Sequence, residues 1–208
     1  MTFKEKYIKY KKKYLDYINY LKQINKQMGG SLKYFVVTIG SFIQKSDKMF
    51  VSDPSYEFIP EEHEMGSKLM KLNLVIPNVL AGTYDVILRI KTNEREKNAE
   101  LVCIHQSFLK DNGSMPLYKY PWEKQDDEIG VDTGQAGIYD LKYYGENEEN
   151  GNNDWFEMNT RLTAKPTDYA GAMEHGAVST AGNGDGIYPV YVIKNDSKIV
   201  GIKIVFID

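Results

Sequence analysis

The chain has 208 residues, with 26 Lys and Arg against 29 Asp and Glu, and so a formal net charge of −3. Hydrophobic residues make up 42% of it, a composition that excludes a wholly disordered chain, and the near-neutral total excludes a nucleic-acid-binding surface spread over the whole sequence. The length suits one domain, or one domain with a tail.

The positive charge is concentrated at the N-terminus. Residues 1–30 contain eight Lys and two acidic residues, a balance of +6, so residues 31–208 carry −9. We therefore predict two parts with different charge: a basic leader over residues 1–30, and a single acidic domain over residues 31–208.

The leader has the periodicity of an amphipathic helix. From Phe3 to Met28, aromatic and aliphatic residues recur at alternate spacings of four and three, which predicts a helix over residues 3–28 with a heptad seam. Gly29 and Gly30 would end that helix.

The composition of the seam bears on what the leader binds. It is mostly Tyr and is flanked by Lys, so a self-paired parallel coiled coil is less favoured than packing on an acidic partner. Three interpretations stay open: the leader docks on its own acidic domain, it is read by a protein partner with an acidic surface, or it contacts nucleic acid or a membrane surface. The residues expected to make the contacts are Tyr7, Tyr10, Lys11, Lys12, Lys13, Tyr14 and Tyr17.

The stretch KEKYIKYKKKYL that begins at Lys4, with Gly29 and Gly30 closing the segment, resembles the leader of many proteins of giant DNA viruses. The resemblance implies a viral protein with a shared sorting or packaging signal, located in the host cytoplasm at the virus factory or in the virion, and not secreted. Gly29-Gly30 before Ser31 also resembles sites that are cut when structural proteins of large DNA viruses mature. A helix stop followed by a hinge is the alternative interpretation of the same pair.

Beyond the leader, the pattern changes to short segments rich in β-branched and aromatic residues, separated by Gly, Pro, Asn or Asp. Strands are predicted over residues 34–39, 48–51, 69–76, 83–90, 99–106, 176–180, 187–193 and 199–206. The strands do not alternate with long amphipathic helices, which argues against a doubly wound fold. We expect a mainly β fold, an antiparallel sandwich-like or barrel-like sheet with one or two short helices, at residues 154–162 and within residues 60–72.

Two features predict how the strands pair and pack. Polar residues 92–98 and 194–198 each join two strong strands, as hairpin loops do. In the last strand, alternation places the even-numbered residues from Val200 to Phe206 on one face and the odd-numbered ones on the other. The even face is thoroughly apolar, so the sheet is expected to pack on another layer.

The single Cys excludes an intrachain disulfide, and the three His are too far apart for a zinc motif. Cys103 lies in an apolar run and is expected to be buried. With His105 two residues later it also forms a less favoured candidate for a catalytic dyad. No stretch of 18 apolar residues occurs, so no transmembrane segment is expected, and a secretory signal is not indicated.

Acidic residues recur in three segments rich in Gly, Asp and Asn, which suit tight turns. The alternative is that Asp53, Asp132, Asp140 and Asp185 converge with Asn183 at one rim of the sheet and bind a polar ligand. Asp132, Asp140 and Asp185 would then hold Ca²⁺ or Mg²⁺, because hard cations prefer carboxylate and carbonyl oxygens. No other cofactor is expected.

Four sequence landmarks carry a second resemblance. They are Asp53-Pro54, LAGTYDV over residues 80–86, VDTGQAGIYD over residues 131–140 and GDGIYPVYV over residues 184–192. In this order they resemble an uncharacterised family of domains of unknown function from bacteria, phages and large viruses, over roughly residues 34–208. The resemblance implies a β-rich fold and brings no known reaction. At Asn183 the family frequently has an aromatic residue.

The expected function is that of a non-enzymatic β-rich structural or binding domain with a basic leader for targeting or partner interaction. The alternative is a small enzyme, or a ligand-binding domain dependent on a divalent metal, that uses the rim of aspartates.

Overall fold

The computed structural model describes residues 34–59, 72–91, 97–113, 115–145, 155–165 and 168–207. The predicted leader helix and the Gly29-Gly30 pair lie outside these residues, and so does nearly all of the helical turn expected within residues 60–72.

Eleven strands and two α-helices make up the described part of the chain. The strands are β1 (Tyr34–Gln44), β2 (Lys48–Ser52), β3 (Leu74–Pro77), β4 (Gly82–Lys91), β5 (Lys97–His105), β6 (Glu123–Val131), β7 (Gln135–Asp140), β8 (Ala170–Met173), β9 (Gly176–Thr180), β10 (Gly186–Asn195) and β11 (Lys198–Val205). The helices are α1 (Gln106–Asn112) and α2 (Trp155–Thr163), and single 3₁₀ turns lie at Leu117–Lys119 and Leu141–Tyr143. No helix among the described residues combines the length and apolar character needed to cross a bilayer.

The strands form two antiparallel sheets. Sheet A has the order β1-β4-β5-β11-β10-β6, and sheet B has the order β3-β2-β7-β9-β8. The chain passes from sheet A to sheet B at the β1–β2 turn and again at the β6–β7 turn. The mainly β, antiparallel fold expected from the sequence is confirmed. It takes the form of two packed sheets, and within the described strands neither sheet closes into a barrel.

The main core fills the space between the sheets. Alternate residues point into it, such as Val86 and Leu88 on β4 of sheet A, and Met49 and Val51 on β2 of sheet B, and all four are fully buried. This follows from the strand period, because successive side chains point to opposite faces. Each such side chain contributes about 1.5–3 kcal/mol to folding by its burial.

Both sheets also carry a short helix on their outer face. On sheet A, Phe108 of α1 and Tyr120 pack over Val102 and Ile193 in a second, smaller core. On sheet B, α2 lies over β8 and β9. The helix predicted over residues 154–162 is confirmed as α2, whereas α1 was not predicted.

The two predicted hairpins are confirmed, since β4 pairs with β5 and β10 pairs with β11. The alternation expected in β11 is wrong at its start. Ile202 and Ile204 face the main core as expected, but Ile199 packs there too and Val200 packs in the outer cluster. The pairing with β10 changes register at this point, and such a bulge reverses the faces on either side of it.

Candidate functional site

Asp53 follows β2, and its carboxylate is fully buried. The backbone N–H groups of Asp132 and Thr133 donate to its Oδ2 at 2.9 and 2.8 Å, and the N–H of Ser55 donates to its Oδ1 at 2.8 Å. The hydroxyl of Thr133 lies 2.8 Å from both oxygens. A carboxylate has about four acceptor sites, so these donors occupy it fully and tie the end of β2 to the β6–β7 turn.

Asp132 and Asp185 lie at the surface near Asp53. The Tyr56 hydroxyl donates to Asp132 Oδ2 at 2.5 Å. Burial raises the pKa of Tyr56, and this hydrogen bond together with the charges of Asp132, Asp53 and Asp185 raises it further. Three of the four predicted rim aspartates therefore lie within electrostatic reach of one tyrosine.

Asp140 closes a different turn. Its Oδ2 accepts the N–H groups of Lys45 and Ser46 at 2.6 and 3.0 Å, and its Oδ1 accepts the Ser46 hydroxyl at 2.5 Å and the Lys142 N–H at 3.1 Å. Asp140 ends the six-residue strand β7, so it lies about 17 Å from the start of that strand and from the β6–β7 turn. The structure therefore places Asp140 apart from the other three aspartates.

This separation bears on the predicted cation site. Ca²⁺–oxygen bonds are about 2.3–2.6 Å long, so one ion does not reach both ends of β7. Among the described residues, no group of three or more His, Cys, Asp or Glu side chains is placed to hold a metal ion. Asn183 is exposed, and its amide donates to the Phe206 carbonyl at 3.2 Å. A Ca²⁺ or Mg²⁺ ion at the rim stays a prediction.

Cys103 is fully buried in the main core, as predicted. Burial raises the pKa of its thiol, which keeps the sulfur protonated. The His105 ring is used as the N-cap of α1: its Nδ1 accepts the Ser107 N–H at 3.1 Å, and its Nε2 lies 3.2 Å from the Ala81 carbonyl. Both ring nitrogens of His105 are therefore engaged with backbone groups, which argues against a catalytic Cys103–His105 dyad.

A pocket opens between α2 and the β8–β9 hairpin. Its volume is about 330 Å³, at the lower end of the range for small-molecule sites. We call it the His175 pocket. Its walls include Tyr143, Trp155, Met158, Leu162, Met173 and His175.

His175 lies in the β8–β9 turn and is 6% exposed. Its Nδ1 is 2.9 Å from the Ile43 carbonyl, which only accepts, so Nδ1 carries a proton. Nε2 lies 3.2 Å from Lys45 Nζ and 3.4 Å from Glu174 Oε1. The ring stacks on Tyr143 with 3.9 Å between centroids. These contacts hold the imidazole in one orientation at the pocket wall.

The opposite wall is formed by α2, and side-chain hydrogen bonds connect this helix to sheet B. The buried Tyr139 hydroxyl donates to Asn159 Oδ1 at 2.9 Å, and the Thr163 hydroxyl donates to Gln135 Oε1 at 2.7 Å. The Tyr139 ring lies directly over Gly137, where a Cβ would clash with the phenol. These hydrogen bonds fix α2 on sheet B, so the pocket is largely preformed.

A second cavity, a groove of about 870 Å³, runs along the outer face of sheet A between β1 and α1. Its charged residues pair with one another: Arg89 Nη1 lies 2.8 Å and Lys203 Nζ 3.7 Å from Glu100 Oε1. Much of the rest is apolar or aromatic and open, including Val36 and Tyr118, which are 45% and 78% exposed. The His175 pocket is the better candidate for a small ligand, because placed polar groups converge there beside an apolar wall.

None of the residues that line the His175 pocket is indicated as a site residue by the sequence. Lys45 and His175 are 130 positions apart. They meet because the end of β1 passes beside the β8–β9 turn, where the Ile43 N–H donates to the Glu174 carbonyl at 2.9 Å. The only local signal is a histidine in a polar turn between two strands, and that signal alone does not indicate a site.

Comparison with known proteins adds no relative: no family model, no curated protein and no solved structure matches this chain. The resemblances of the leader to giant-virus leaders and of residues 34–208 to a domain of unknown function therefore stay expectations from the sequence.

Proposed function

We propose that this chain is a binding protein and that its domain presents the His175 pocket to a small organic ligand. The observation that carries the proposal is the pocket itself, in which an apolar helix wall faces an imidazole held by Ile43, Lys45 and Tyr143. Concave, mostly apolar sites with a few placed polar groups are typical of small-molecule binding.

Binding is favoured over catalysis by the state of the candidate catalytic groups. A general base or nucleophile needs an available lone pair in reach of the substrate. Within the described part of the chain, the Asp53 and Asp140 carboxylates accept turn N–H groups, and the Cys103 thiol is buried and protonated. The His175 nitrogens already contact Ile43 and Lys45.

The leader is proposed to address this domain to a protein partner with an acidic surface, in the virus factory or the virion. Its charge of +6 and its Tyr seam support this assignment. Equal distribution of the full chain and of a chain that begins at Ser31, in localisation and pull-down assays, would contradict it. An intact mass that begins at Met1 or Thr2 in protein from virions would contradict cleavage after Gly30.

The pocket is tested with indole as a neutral probe. The chain has two Trp residues. Trp155 lines the pocket, whereas Trp122 packs on the outer face of sheet A. In a ¹H–¹⁵N spectrum of the full chain, we expect millimolar indole to shift the Trp155 indole N–H signal and leave that of Trp122 in place.

Two variants of α2 give the matched comparison. Met158→Trp fills the pocket and is expected to abolish the shift of the Trp155 signal. Phe156→Trp changes a residue of the same helix that is 42% exposed and does not line the pocket, so binding should be retained. Equal shifts of both native Trp signals, or an unchanged response in Met158→Trp, would refute the pocket as the site.

A further inference from the structure

The charges at the mouth of the His175 pocket are mostly positive. Arg161, in the last turn of α2, and Lys165 just beyond it both line the pocket. Lys45 adjoins it, since its Nζ lies 3.2 Å from His175 Nε2 and 4.9 Å from the centre of the Tyr143 ring. The cationic residues that line the pocket therefore lie on the α2 side. On the His175 side Glu174 lines the pocket, and Lys45 lies beside it.

The acidic residues nearby are already engaged. Glu174 Oε1 lies 3.9 Å from Lys45 Nζ and 3.4 Å from His175 Nε2. Glu157 Oε1 lies 2.9 Å from Arg161 Nη2, one turn away on α2. An ammonium group has three N–H donors, so Lys45 has one more than its contacts with Glu174 and His175 use. The local field favours a negative group and opposes a positive one.

The interior of the pocket is apolar. Met158 and Leu162 come from α2, and Met173 comes from β8. The Trp155 ring makes edge contacts with Tyr139 and Tyr144 at 5.0 Å, which fix its orientation. Methionine side chains adapt to the shape of a bound group, so this part accepts an aromatic or aliphatic body of modest size.

We propose that the His175 pocket binds an amphipathic organic anion, with an apolar body between α2 and β8 and a carboxylate or phosphate directed to Lys165, Arg161 and Lys45. This inference rests on the proposed binding function of the same pocket. It adds the charge of the ligand, and it can therefore fail while the pocket remains a binding site.

The test compares probes with one apolar body and different charge: 4-phenylbutyrate, 4-phenylbutanamide, 3-phenylpropylamine and 3-phenylpropyl phosphate. Each is titrated into the full chain while the Trp155 signal is followed, with the Trp122 signal as the internal reference. We expect one or both anions to bind at least about five-fold more tightly than the amide, and the amine more weakly than the amide. Added salt should weaken the binding of the anions and leave the binding of the amide unchanged, because salt screens exposed charges.

Lys165→Gln removes one rim charge. The matched control is Lys198→Gln, which changes an exposed lysine at the start of β11. Lys165→Gln should weaken anion binding by about two- to five-fold without changing amide binding, and Lys198→Gln should change neither. If the amide bound as tightly as the anions, or the amine more tightly, the inference about the charge of the ligand would be overturned. The pocket would remain the proposed binding site. Failure of every probe to shift the Trp155 signal would overturn the proposed function as well.

Discussion

The carboxylate of Asp53 is expected to be a principal structural anchor, and the substitution Asp53→Asn tests this. An amide has one acceptor oxygen and one donor group in place of two acceptors. In the less costly orientation, its oxygen keeps the N–H groups of Asp132 and Thr133, and its NH₂ faces the N–H of Ser55. One buried donor is then left without an acceptor, and two bonds lose their charge.

The cost follows from these losses. A buried donor without a partner costs about 1–3 kcal/mol, and hydrogen bonds to a charged group exceed neutral ones by about 1 kcal/mol each. The free energy of unfolding should therefore fall by about 3–5 kcal/mol. For a domain of this size, 1 kcal/mol corresponds to about 2–4 °C, so the Tm should fall by roughly 6–20 °C.

The assay is urea unfolding followed by circular dichroism, with Asp132→Asn as the matched variant. Asp132 is exposed, and an Asn there still accepts the Tyr56 hydroxyl, so that change should cost less than about 1 kcal/mol. Equal unfolding midpoints for the two variants, at unchanged m-values, would refute the assignment of Asp53 as an anchor.

Three further predictions follow from buried groups. Because burial raises the pKa of Cys103, its thiol should not react with Ellman's reagent in the folded chain and should react fully in urea. Burial also raises the pKa of Tyr84 and Tyr139, so their contribution to stability is complete below the unfolded value near pH 10. Above that pH it should fall by about 1.4 kcal/mol per group and pH unit, and tyrosinate absorbance should rise cooperatively with unfolding. Gly137→Ala forces a Cβ into the Tyr139 phenol and should destabilise the chain by about 1–3 kcal/mol in urea.

Each of these predictions has a contrary outcome. Rapid labelling of Cys103 without unfolding would mean that β5 opens or that the thiol is accessible. Tyrosinate absorbance that reaches its full value near pH 10, while circular dichroism stays unchanged, would contradict the buried tyrosines. A Gly137→Ala chain as stable as the original would show that the Tyr139 ring moves aside at no cost.

Most strands with a buried apolar face could be predicted from the sequence, whereas strands defined by their neighbours could not. The exception is β7, which is buried throughout but lies in a Gly- and Asp-rich segment that predicts a turn. The β4–β5 and β10–β11 hairpins are continuous in sequence and rich in β-branched residues, and both were predicted. β6 was missed because it is the outer strand of sheet A, and its first half is acidic. Charged residues are common on edge strands, so the sequence of β6 lacks a strand pattern. Its pairing with β10 in the structure identifies it as a strand.

The aspartates show the same difference between features set by neighbouring residues and features set by contacts far apart in sequence. Turn chemistry at Asp53 and Asp140 could be predicted from Gly and Asp composition. The sequence does not show that their bonds reach Thr133 and Ser46, which are 80 and 94 positions away. The α2 wall of the His175 pocket is local in sequence, but the meeting of that helix with His175 and Lys45 depends on long-range contacts, so no local motif indicates the pocket.

The position of β11 has a consequence for how the chain can be shortened and synthesised. This strand comes last in sequence yet lies between β5 and β10 in sheet A, to which it binds on both sides. A premature stop before residue 198 removes the middle of the sheet and separates β1-β4-β5 from β10-β6. Each fragment then presents a long unpaired edge, which is a template for aggregation. On the ribosome, sheet A is completed only once residues 198–205 have been translated, and until then β5 and β10 each have an unpaired edge.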